Sequence, residues 1–353
     1  KFEDAKPLYV MPNLELPAPL RPLGCGVNPA AMTELKDQIK AALEAKEVEF
    51  VMGWQKGFDG LHATPLYMRR PEDVEKLIWG PLNVHSLATY LPLFKGKKVG
   101  IVVKGCDSRG VVELLQENLI NREDVVIFGM GCNGTVDINR VLAKIGDVTE
   151  VESVAGSGAT LKVRADGKDY EFAMQDVAQD KCRACTVPNA VIHDHFAGPP
   201  TKIPDGAQPA MPAIMTFLDG LSLEERMGFW RGHIERCIRC YACRNACPMC
   251  VCRDNCVADS REPHWLTQED SPTQKMFFQL IHAMHLAGRC TGCGECNRAC
   301  PMGIPVGALK LQMGRVVKKL FEYAPGMDVD AVPPLLGFQL EEKNIHEHHI
   351  EGA

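Results

Sequence analysis

The sequence predicts an α/β domain, with a parallel or mixed sheet and flanking helices, followed by a smaller and mostly α-helical domain. Two observations support this prediction. Between residues 28 and 172, short apolar runs typical of strands alternate with amphipathic helical segments, which is the order of a sheet covered by helices. After a Gly- and Pro-rich stretch at 198–212 no strand pattern recurs, and cysteines crowd together instead.

The elements of the first domain are predicted in a regular order. Helices are expected at 28–46, 71–79, 84–93, 108–118 and 136–145. Strands are expected at 47–54, 98–104 and 124–128. A small antiparallel addition is expected at 150–154, 160–163 and 170–172, with Asp166-Gly167 as its turn.

Composition predicts the domain boundaries. We expect a Pro-rich extended arm at 1–27, the α/β domain at 28–197, a linker at 198–222, the helical domain at 223–322 and an extended tail at 323–353. The tail carries three histidines, for which a solvated terminus is favoured over a metal site. They are His346, His348 and His349.

Charge, hydropathy and cysteine content narrow the function classes. The net charge of −6 argues against a nucleic-acid partner, which would need a concentrated basic face. No apolar run approaches the roughly eighteen residues that cross a bilayer, and residues 1–24 lack an apolar signal core, so a cytoplasmic location is expected. Sixteen cysteines occur, eleven of them between Cys237 and Cys300. In a reducing compartment such clustered thiols indicate metal ligands rather than disulfides.

The most specific signal is a cysteine motif that occurs twice. The copies are Cys237-x-x-Cys240-x-x-Cys243-x-x-x-Cys247-Pro248 and Cys290-x-x-Cys293-x-x-Cys296-x-x-x-Cys300-Pro301. Three thiolates of such a loop hold one [4Fe–4S] cluster, and the fourth, before proline, reaches the other cluster. We therefore assign one cluster to Cys237, Cys240, Cys243 and Cys300, and the other to Cys290, Cys293, Cys296 and Cys247. Zinc is the alternative, but zinc sites usually show two separated Cys-x-x-Cys pairs.

Three further cysteines follow the first motif directly. Cys250, Cys252 and Cys256 are too crowded to be explained easily by packing. An additional metal site here would need a fourth ligand from elsewhere, for which Cys25 is the candidate. Reactive or simply buried thiols are the alternative.

Four cysteines lie at the ends of elements in the α/β domain. Cys106 and Cys132 each follow a predicted strand, and Cys182 and Cys185 form a Cys-x-x-Cys pair. Ligands of open parallel sheets bind at the carboxyl ends of the strands, so these four thiolates predict a further [4Fe–4S] cluster. A structural zinc with incidental thiols is the alternative.

Two other features of this domain have competing interpretations. Residues 129–134, Gly-Met-Gly-Cys-Asn-Gly, formally match the dinucleotide fingerprint, but a glycine-rich ligand loop explains them as well. Asp107 and Arg109 are expected to be solvated loop charges, with a flavin phosphate or a partner subunit as alternative contacts.

The second half of the chain resembles a known module. A helix is expected at 273–287, capped by Ser271-Pro272, in the long insert between the two motifs. This spacing resembles the α-helical ferredoxin module of succinate dehydrogenase iron–sulfur subunits and heterodisulfide reductase C-type subunits. The resemblance implies a mostly α-helical ferredoxin domain with two [4Fe–4S] clusters.

The first half resembles a second family. The segments Val-Val-Lys-Gly-Cys106-Asp-Ser-Arg and Lys181-Cys182-Arg-Ala-Cys185-Thr are similar to the catalytic domain of deazaflavin-coenzyme hydrogenase/dehydrogenase beta subunits, which include formate dehydrogenase beta subunits of methanogens. The arrangement is also similar to iron–sulfur subunits of heterodisulfide reductase-like, electron-bifurcating complexes. These resemblances imply an anaerobic redox complex, with flavoprotein, heterodisulfide reductase-like, hydrogenase or formate dehydrogenase subunits as partners and FAD as a further cofactor.

The sequence therefore favours an electron relay. No general acid–base or nucleophilic constellation accompanies the cysteines, so no catalytic residue is assigned. One alternative is a subunit whose own FAD splits a hydride into single electrons for the clusters. Another is a redox sensor or scaffold whose clusters only hold the fold.

Overall fold

A computed structural model describes residues 19–205, 212–252, 256, 266–267 and 269–337 of the chain. Most of the predicted Pro-rich arm therefore lies outside the described residues. So do His346, His348 and His349, for which a solvated terminus was expected.

The α/β part contains eight strands. They are β1 (Val51–Lys56), β2 (Ala63–Met68), β3 (Val99–Val103), β4 (Val125–Met130), β5 (Val151–Ser157), β6 (Thr160–Ala165), β7 (Lys168–Ala173) and β8 (His195–Ala197). The main sheet has the order β2-β1-β3-β4-β8. Its strands run parallel except β2, which is antiparallel to β1. The predicted mixed α/β sheet is confirmed, whereas β2 and β8 are additions.

The two central strands explain why the sheet was predictable. Every residue of β3 and β4 is buried, because helices and loops cover both faces. The second sheet, β5-β6-β7, is antiparallel, as the sequence predicted. Asp166 (φ 46°) and Gly167 (φ 73°) form its predicted turn, since both adopt the left-handed conformation that tight hairpins require.

The helices of this part are α1 (Pro29–Glu44), α2 (Gly105–Gln116), α3 (Ile138–Ile145), α4 (Met174–Val177) and α5 (Asp180–Arg183). The Asn28 side chain caps α1 by accepting from the Ala30 and Ala31 amides. The segments predicted as helices at 71–79 and 84–93 are instead 3₁₀ helices, Pro71–Lys76 and Leu87–Phe94. Pro92 lies inside the second of them and cannot donate to an α-helical ladder.

The C-terminal part is helical. Its helices are α6 (Ala213–Asp219), α7 (Leu223–Glu235), α8 (Ala242–Asn245), α9 (Pro272–His285), α10 (Glu295–Ala299) and α11 (Gly307–Phe321). The described residues after Ala197 contain no strand. The predicted cap of α9 is present, because Ser271 Oγ accepts from the Gln274 amide at 3.3 Å. A helix, α6, lies in the segment expected to be a linker.

The helical part contacts the α/β part mainly along α2. Met249 and Leu286 join the hydrophobic core around the main sheet. Arg289 forms an ion pair with Glu117, just after the end of α2. None of the helices in the described ranges combines the length and the apolar character that crossing a bilayer requires.

Candidate iron–sulfur centres

The two cysteine motifs have the same backbone conformation around their second cysteine. Arg239 (φ 51°) and Tyr241 (φ 57°) flank Cys240, and Gly292 (φ 69°) and Gly294 (φ 75°) flank Cys293. A short helix then begins in each loop, α8 in the first and α10 in the second. Left-handed residues other than glycine are unfavourable, so their retention in the first loop indicates a functional constraint. The repeated motif is therefore a structural repeat.

Cys247, the fourth cysteine of the first motif, lies among the cysteines of the second. Burial raises the pKa of Cys247 to about 12, and the Cys296 and Cys290 thiols contribute to the rise. Cys247 in turn contributes to the raised pKa of Cys293. This neighbourhood agrees with the predicted exchange of fourth ligands between the two motifs.

Cys243, of the first motif, lies near the fourth cysteine of the second motif. Burial raises the pKa of Cys243, and the thiols of Cys296 and Cys300 contribute. Cys237 and Cys243 are buried, whereas Cys240 is the only exposed cysteine of the sixteen. The first motif therefore reaches the surface of the chain at Cys240.

Backbone amides donate to several of these thiols. The amide two residues further along the chain donates to the sulfur of Cys247, Cys290 and Cys293. The Ile304 amide donates to Cys300 Sγ at 3.4 Å. Such bonds favour thiolates over thiols and also tune the potential of a bound cluster.

Lys310, on α11, tests whether an iron–sulfur cluster fits this region. The residue is 2% exposed, and its Nζ has no hydrogen-bond partner among the described residues. Burial alone would lower the Lys310 pKa, but neighbouring thiols, led by Cys296 and Cys247, raise it. A buried ammonium needs an anionic partner, and a thiolate-bound [4Fe–4S] cluster is an anion. The orphaned ammonium therefore fits such a cluster.

Zinc remains the alternative metal, and a structural zinc ion requires four ligands at about 2.0–2.3 Å. The repeated Cys-x-x-Cys-x-x-Cys-x-x-x-Cys-Pro motif is instead the ligand pattern of [4Fe–4S] clusters.

The α/β cysteines gather at the carboxyl ends of β3 and β4. Burial raises the pKa of Cys106 to about 12, with a contribution from Cys132. Burial likewise raises the pKa of Cys132 to about 11, with a contribution from Cys182. The Thr135 amide donates to Cys182 Sγ at 3.3 Å. Cys106, Cys132 and Cys182 thus share one neighbourhood, and Cys185 is half-buried three residues beyond Cys182.

Lys181 connects this group to the second motif. Its ammonium donates to the main-chain carbonyl of Cys293. Burial alone would lower the Lys181 pKa, but Cys106, Cys182 and Cys293 are among the groups that raise it. This contact was not predicted from the sequence, because a lysine beside a Cys-x-x-Cys pair is usually a surface residue.

The loop that carries Cys250, Cys252 and Cys256, here called the crowded loop, does not lie beside Cys25. Burial raises the pKa of Cys250 to about 11, and Cys252 and Cys256 contribute, so these three thiols are neighbours. Cys25 instead lies 3.5 Å from Met174 Sδ, in the hydrophobic cluster that includes Cys182. The structure therefore does not bring Cys25 to the crowded loop as the expected fourth ligand.

A cleft lies beside Cys132. Its lining consists of the segments 24–27 and 79–81, Lys104 and the segment 132–134. The glycine-rich segment does not open a helix, since α3 begins only at Ile138. The Cys132 amide already donates to the Pro188 carbonyl at 3.1 Å. The loop thus lacks the helix N-terminus that a dinucleotide fingerprint needs, and the ligand-loop interpretation is favoured.

The expected solvation of Asp107 and Arg109 is wrong. Asp107 is 1% exposed, and its carboxylate lies 2.6 Å from the buried Lys104 ammonium. The Arg109 guanidinium donates to the Pro325 carbonyl at 2.7 Å, from the segment that follows α11. Both charges are structural, because Asp107 pairs with Lys104 and Arg109 binds the segment beyond α11.

Comparison with known proteins supports the cluster assignment. Residues 233–304 match the family model of the 4Fe–4S dicluster domain. The F420-dependent formate dehydrogenase subunit beta of Methanocaldococcus jannaschii is 24% identical over 91% of this chain and 96% of its own length. The F420-dependent formate dehydrogenase 1 subunit beta of Methanococcus maripaludis is 25% identical over 91% of this chain and 95% of its own. The predicted resemblance to formate dehydrogenase beta subunits is confirmed.

Among solved structures, similarity extends to a chain of the F420-reducing [NiFe] hydrogenase complex from Methanosarcina barkeri. That match covers 47% of this chain and 61% of the other, with 16% identity and a TM-score of 0.33, which is too low to support an inference. The family match and the sequence relatives are sufficient to identify the cofactors as iron–sulfur clusters. The chain binds two [4Fe–4S] clusters and is an iron–sulfur electron-transfer protein of the oxidoreductase class.

Proposed function

We propose that this chain is an electron-relay subunit of an F420-dependent formate dehydrogenase-type or hydrogenase-type complex. It passes single electrons between a flavin or metal site on a partner subunit and a second acceptor. The observation that carries the proposal is the contact of Lys181 with Cys293, because it joins the α/β cysteines directly to the second motif. The relatives that span 91% of this chain are formate dehydrogenase beta subunits, which agrees with this role.

The proposed relay has three groups of cysteines: those of the α/β part, those of the second motif and those of the first motif. A further [4Fe–4S] cluster is proposed at Cys106, Cys132, Cys182 and Cys185, in addition to the two clusters of the paired motifs. When bound, each cluster accepts and releases one electron at a time. The protein supplies the thiolates, the amide donors and a largely buried setting. Cys240 is exposed, and the exposed Ile238 lies two residues before it, so we assign electron exchange with a partner to this end.

The domain boundaries follow the same division. We propose an α/β unit at 28–197 that holds the third cluster, and a ferredoxin unit at 223–322 that holds the other two. The contacts along α2 support a fixed relation between these units. Glu117 and Arg289 form a largely buried ion pair between them, and just beyond the ferredoxin unit Tyr323 Oη donates to Glu113 Oε1 at 3.0 Å.

Metal analysis of anaerobically purified protein tests the proposal. Counting iron and acid-labile sulfide should give about twelve irons per chain, because three [4Fe–4S] clusters are expected. Cys132→Ser should lower the count to about eight, whereas Cys25→Ser, which removes a buried thiol outside the three groups, should leave it unchanged. Equal counts for wild type and Cys132→Ser would reject the third cluster. Colourless protein, or zinc in place of iron, would reject the relay.

A flavin-carrying subunit is the second candidate. The cleft beside Cys132 supports it, since Trp79 lines this cleft next to the α/β cysteines. FAD held there would pass electrons singly to the nearest cluster. Absorption and mass spectrometry of an acid extract from anaerobic protein would detect bound FAD. An extract without flavin would reject this candidate, and a partner subunit would then have to split the hydride into single electrons.

We further propose that the complex is of the heterodisulfide reductase-like kind and works in the cytoplasm of an anaerobe. None of the sixteen cysteines is joined in a disulfide, which agrees with a reducing compartment. Affinity purification of the tagged chain from its own cells under nitrogen should recover flavoprotein, heterodisulfide reductase-like, hydrogenase or formate dehydrogenase subunits. Recovery of the chain alone under those conditions would contradict a stable complex.

A further inference from the structure

Cys240 lies at the surface, where a redox partner can approach the first-motif cluster. It is the only exposed cysteine of the sixteen, and the other motif cysteines are buried or half-buried. Ile238, two residues before it, is 61% exposed. This surface therefore offers the closest approach to the first motif, together with an apolar side chain for contact.

The chain around Cys240 is basic, although the protein as a whole is acidic. Residues 231–244 contain four arginines and one carboxylate, Glu235, whereas the whole chain has a net charge of −6. The four arginines are Arg231, Arg236, Arg239 and Arg244. Positive charge is therefore concentrated in the segment that leads into the first motif and encloses Cys240.

The second motif serves as an internal reference, since it has the same cysteine spacing. Its equivalent segment, 284–297, contains one arginine and one carboxylate. That arginine, Arg289, forms a largely buried ion pair with Glu117. Four arginines are therefore not needed to hold a cluster in this kind of loop, and the excess in the first motif requires another explanation.

Arg239, next to Cys240, is bonded to neutral groups. Its guanidinium donates to the main-chain carbonyls of Thr267, at 2.7 Å, and of Glu269. Asp270, an acid of the same neighbouring segment, is paired with Lys275 at 2.6 Å. The bonds of Arg239 therefore hold its guanidinium in place without cancelling its positive charge.

Arg239 also occupies a backbone position that favours glycine. Its φ is 51°, in the left-handed region, and the equivalent residue of the second loop is Gly292, with φ 69°. This conformation is less favourable for a residue with a Cβ than for glycine. An arginine is thus present beside Cys240 against the local backbone preference, which indicates a use for its charge.

We propose that the exposed surface around Cys240 is the docking surface for an acidic electron-transfer protein. It comprises Arg231, Arg236, Ile238, Arg239 and Cys240. The guanidinium groups attract carboxylates of the partner, which speeds and orients the encounter, while Ile238 supplies a small apolar contact. One electron crosses from the partner to the first-motif cluster, so the partner is oxidised, the cluster is reduced and no atom is transferred. This inference deepens the proposed relay and rests on its first-motif cluster.

The test measures how fast a reduced, acidic two-[4Fe–4S] ferredoxin transfers an electron to the full-length, cluster-loaded chain. Ile238→Glu and Ile238→Lys remove the same apolar contact and differ chiefly in the sign of the new charge. At low ionic strength, Ile238→Glu should lower the second-order rate constant about tenfold, whereas Ile238→Lys should stay near the wild-type value. Added salt should slow the wild type and reduce this difference, because it screens the charges.

Further variants and a second reductant control for indirect effects. Lys144→Glu reverses an exposed charge on α3 of the α/β part and should leave the rate unchanged. Reduced methyl viologen, a cation, should reduce Ile238→Glu faster than Ile238→Lys. Iron is counted in every variant. If the Ile238 variants lose iron, Arg231→Glu, which lies outside the motif, gives the answer and should also slow ferredoxin about tenfold.

Several outcomes would overturn the docking surface and leave the relay intact. One is an equal rate for Ile238→Glu and Ile238→Lys at full iron, and another is a wild-type chain that dithionite reduces but ferredoxin does not. Equal slowing by Lys144→Glu would attribute the effect to overall charge. A wild-type dimer in sedimentation velocity that Ile238→Glu dissociates would assign the surface to a second copy of the chain. Colourless wild-type protein would instead reject the relay on which the inference rests.

Discussion

The ammonium of Lys181 donates to the carbonyl of Cys293, a residue 112 positions further along the chain. This contact joins the carboxyl ends of two parallel strands to a ferredoxin loop. Gly294 adopts φ 75° beside it, and a Cβ at that position would lie 3.2 Å from Lys181 Cδ. The loop conformation and the close approach of the lysine therefore both favour glycine here.

Lys181→Met should lower the potential of the second-motif cluster and leave that of the first-motif cluster nearly unchanged. The reason is proximity, since the Lys181 ammonium donates to the carbonyl of Cys293 in the second motif. Redox titration with both cluster signals resolved checks this expectation, with Lys181→Arg as the charge-preserving control. Equal shifts of both clusters would contradict it.

Exchange of the fourth ligands predicts which cysteine variants look alike. Cys300→Ser should disturb the same spectroscopic signal as Cys237→Ser, although the two residues belong to different motifs. Cys247→Ser should likewise match Cys290→Ser, because Cys247 lies among the second-motif thiols. Electron paramagnetic resonance of the four reduced variants decides the pairing. Grouping by motif, with Cys300→Ser resembling Cys290→Ser, would refute the exchange.

Glu113 should make stability depend on pH. Burial raises its pKa to about 7 from 4.5, so the folded protein holds this proton more tightly than the unfolded chain. Stability is therefore lost as pH rises from about 4.5 to about 7, by at most about 3 kcal/mol, and stays reduced above. Glu113→Gln should raise the apparent melting temperature at pH 8.5 more than at pH 6, unlike the exposed control Glu123→Gln. A pH-independent difference would argue against this carboxyl.

The Arg289–Glu117 ion pair should stabilise the contact between the two parts of the chain. The side chains are 14% and 12% exposed, so removing one partner leaves a largely buried charge. Glu117→Leu should cost about 3 kcal/mol, and adding Arg289→Met should recover much of the loss. Thermal unfolding of the two single variants and the double variant measures this coupling. Additive losses would show that the pair contributes nothing specific.

The parts of the fold that sequence predicted are those with a strong local pattern. β3 and β4 are continuous apolar runs. Asp166-Gly167 is a residue pair typical of tight hairpin turns, and both residues have positive φ. β2 contains Pro65 and half-buried residues, and β8 spans only three residues, so neither has a period that propensity can detect. Their strand conformation comes from pairing with β1 and β4.

The candidate site divides in the same way. The paired motifs predicted the cluster type, because repeated cysteine spacing before proline is itself the ligand pattern. The position of Cys25 could not be predicted from the sequence, since only the fold shows that this residue lies beside Met174. Lys181 and Lys310 were missed because the exposure of a lysine cannot be read from its neighbours along the chain.

The amino-acid sequence by itself determined the α/β-then-helical order and the two iron–sulfur motifs, because each depends on residues within a few positions of one another. Only the tertiary structure decided which cysteines are neighbours across the chain, and where the Lys181 and Lys310 ammonium groups lie among them. Burial and electrostatic interaction depend on distance through space, and the contact of Lys181 with Cys293 joins segments that lie far apart along the chain.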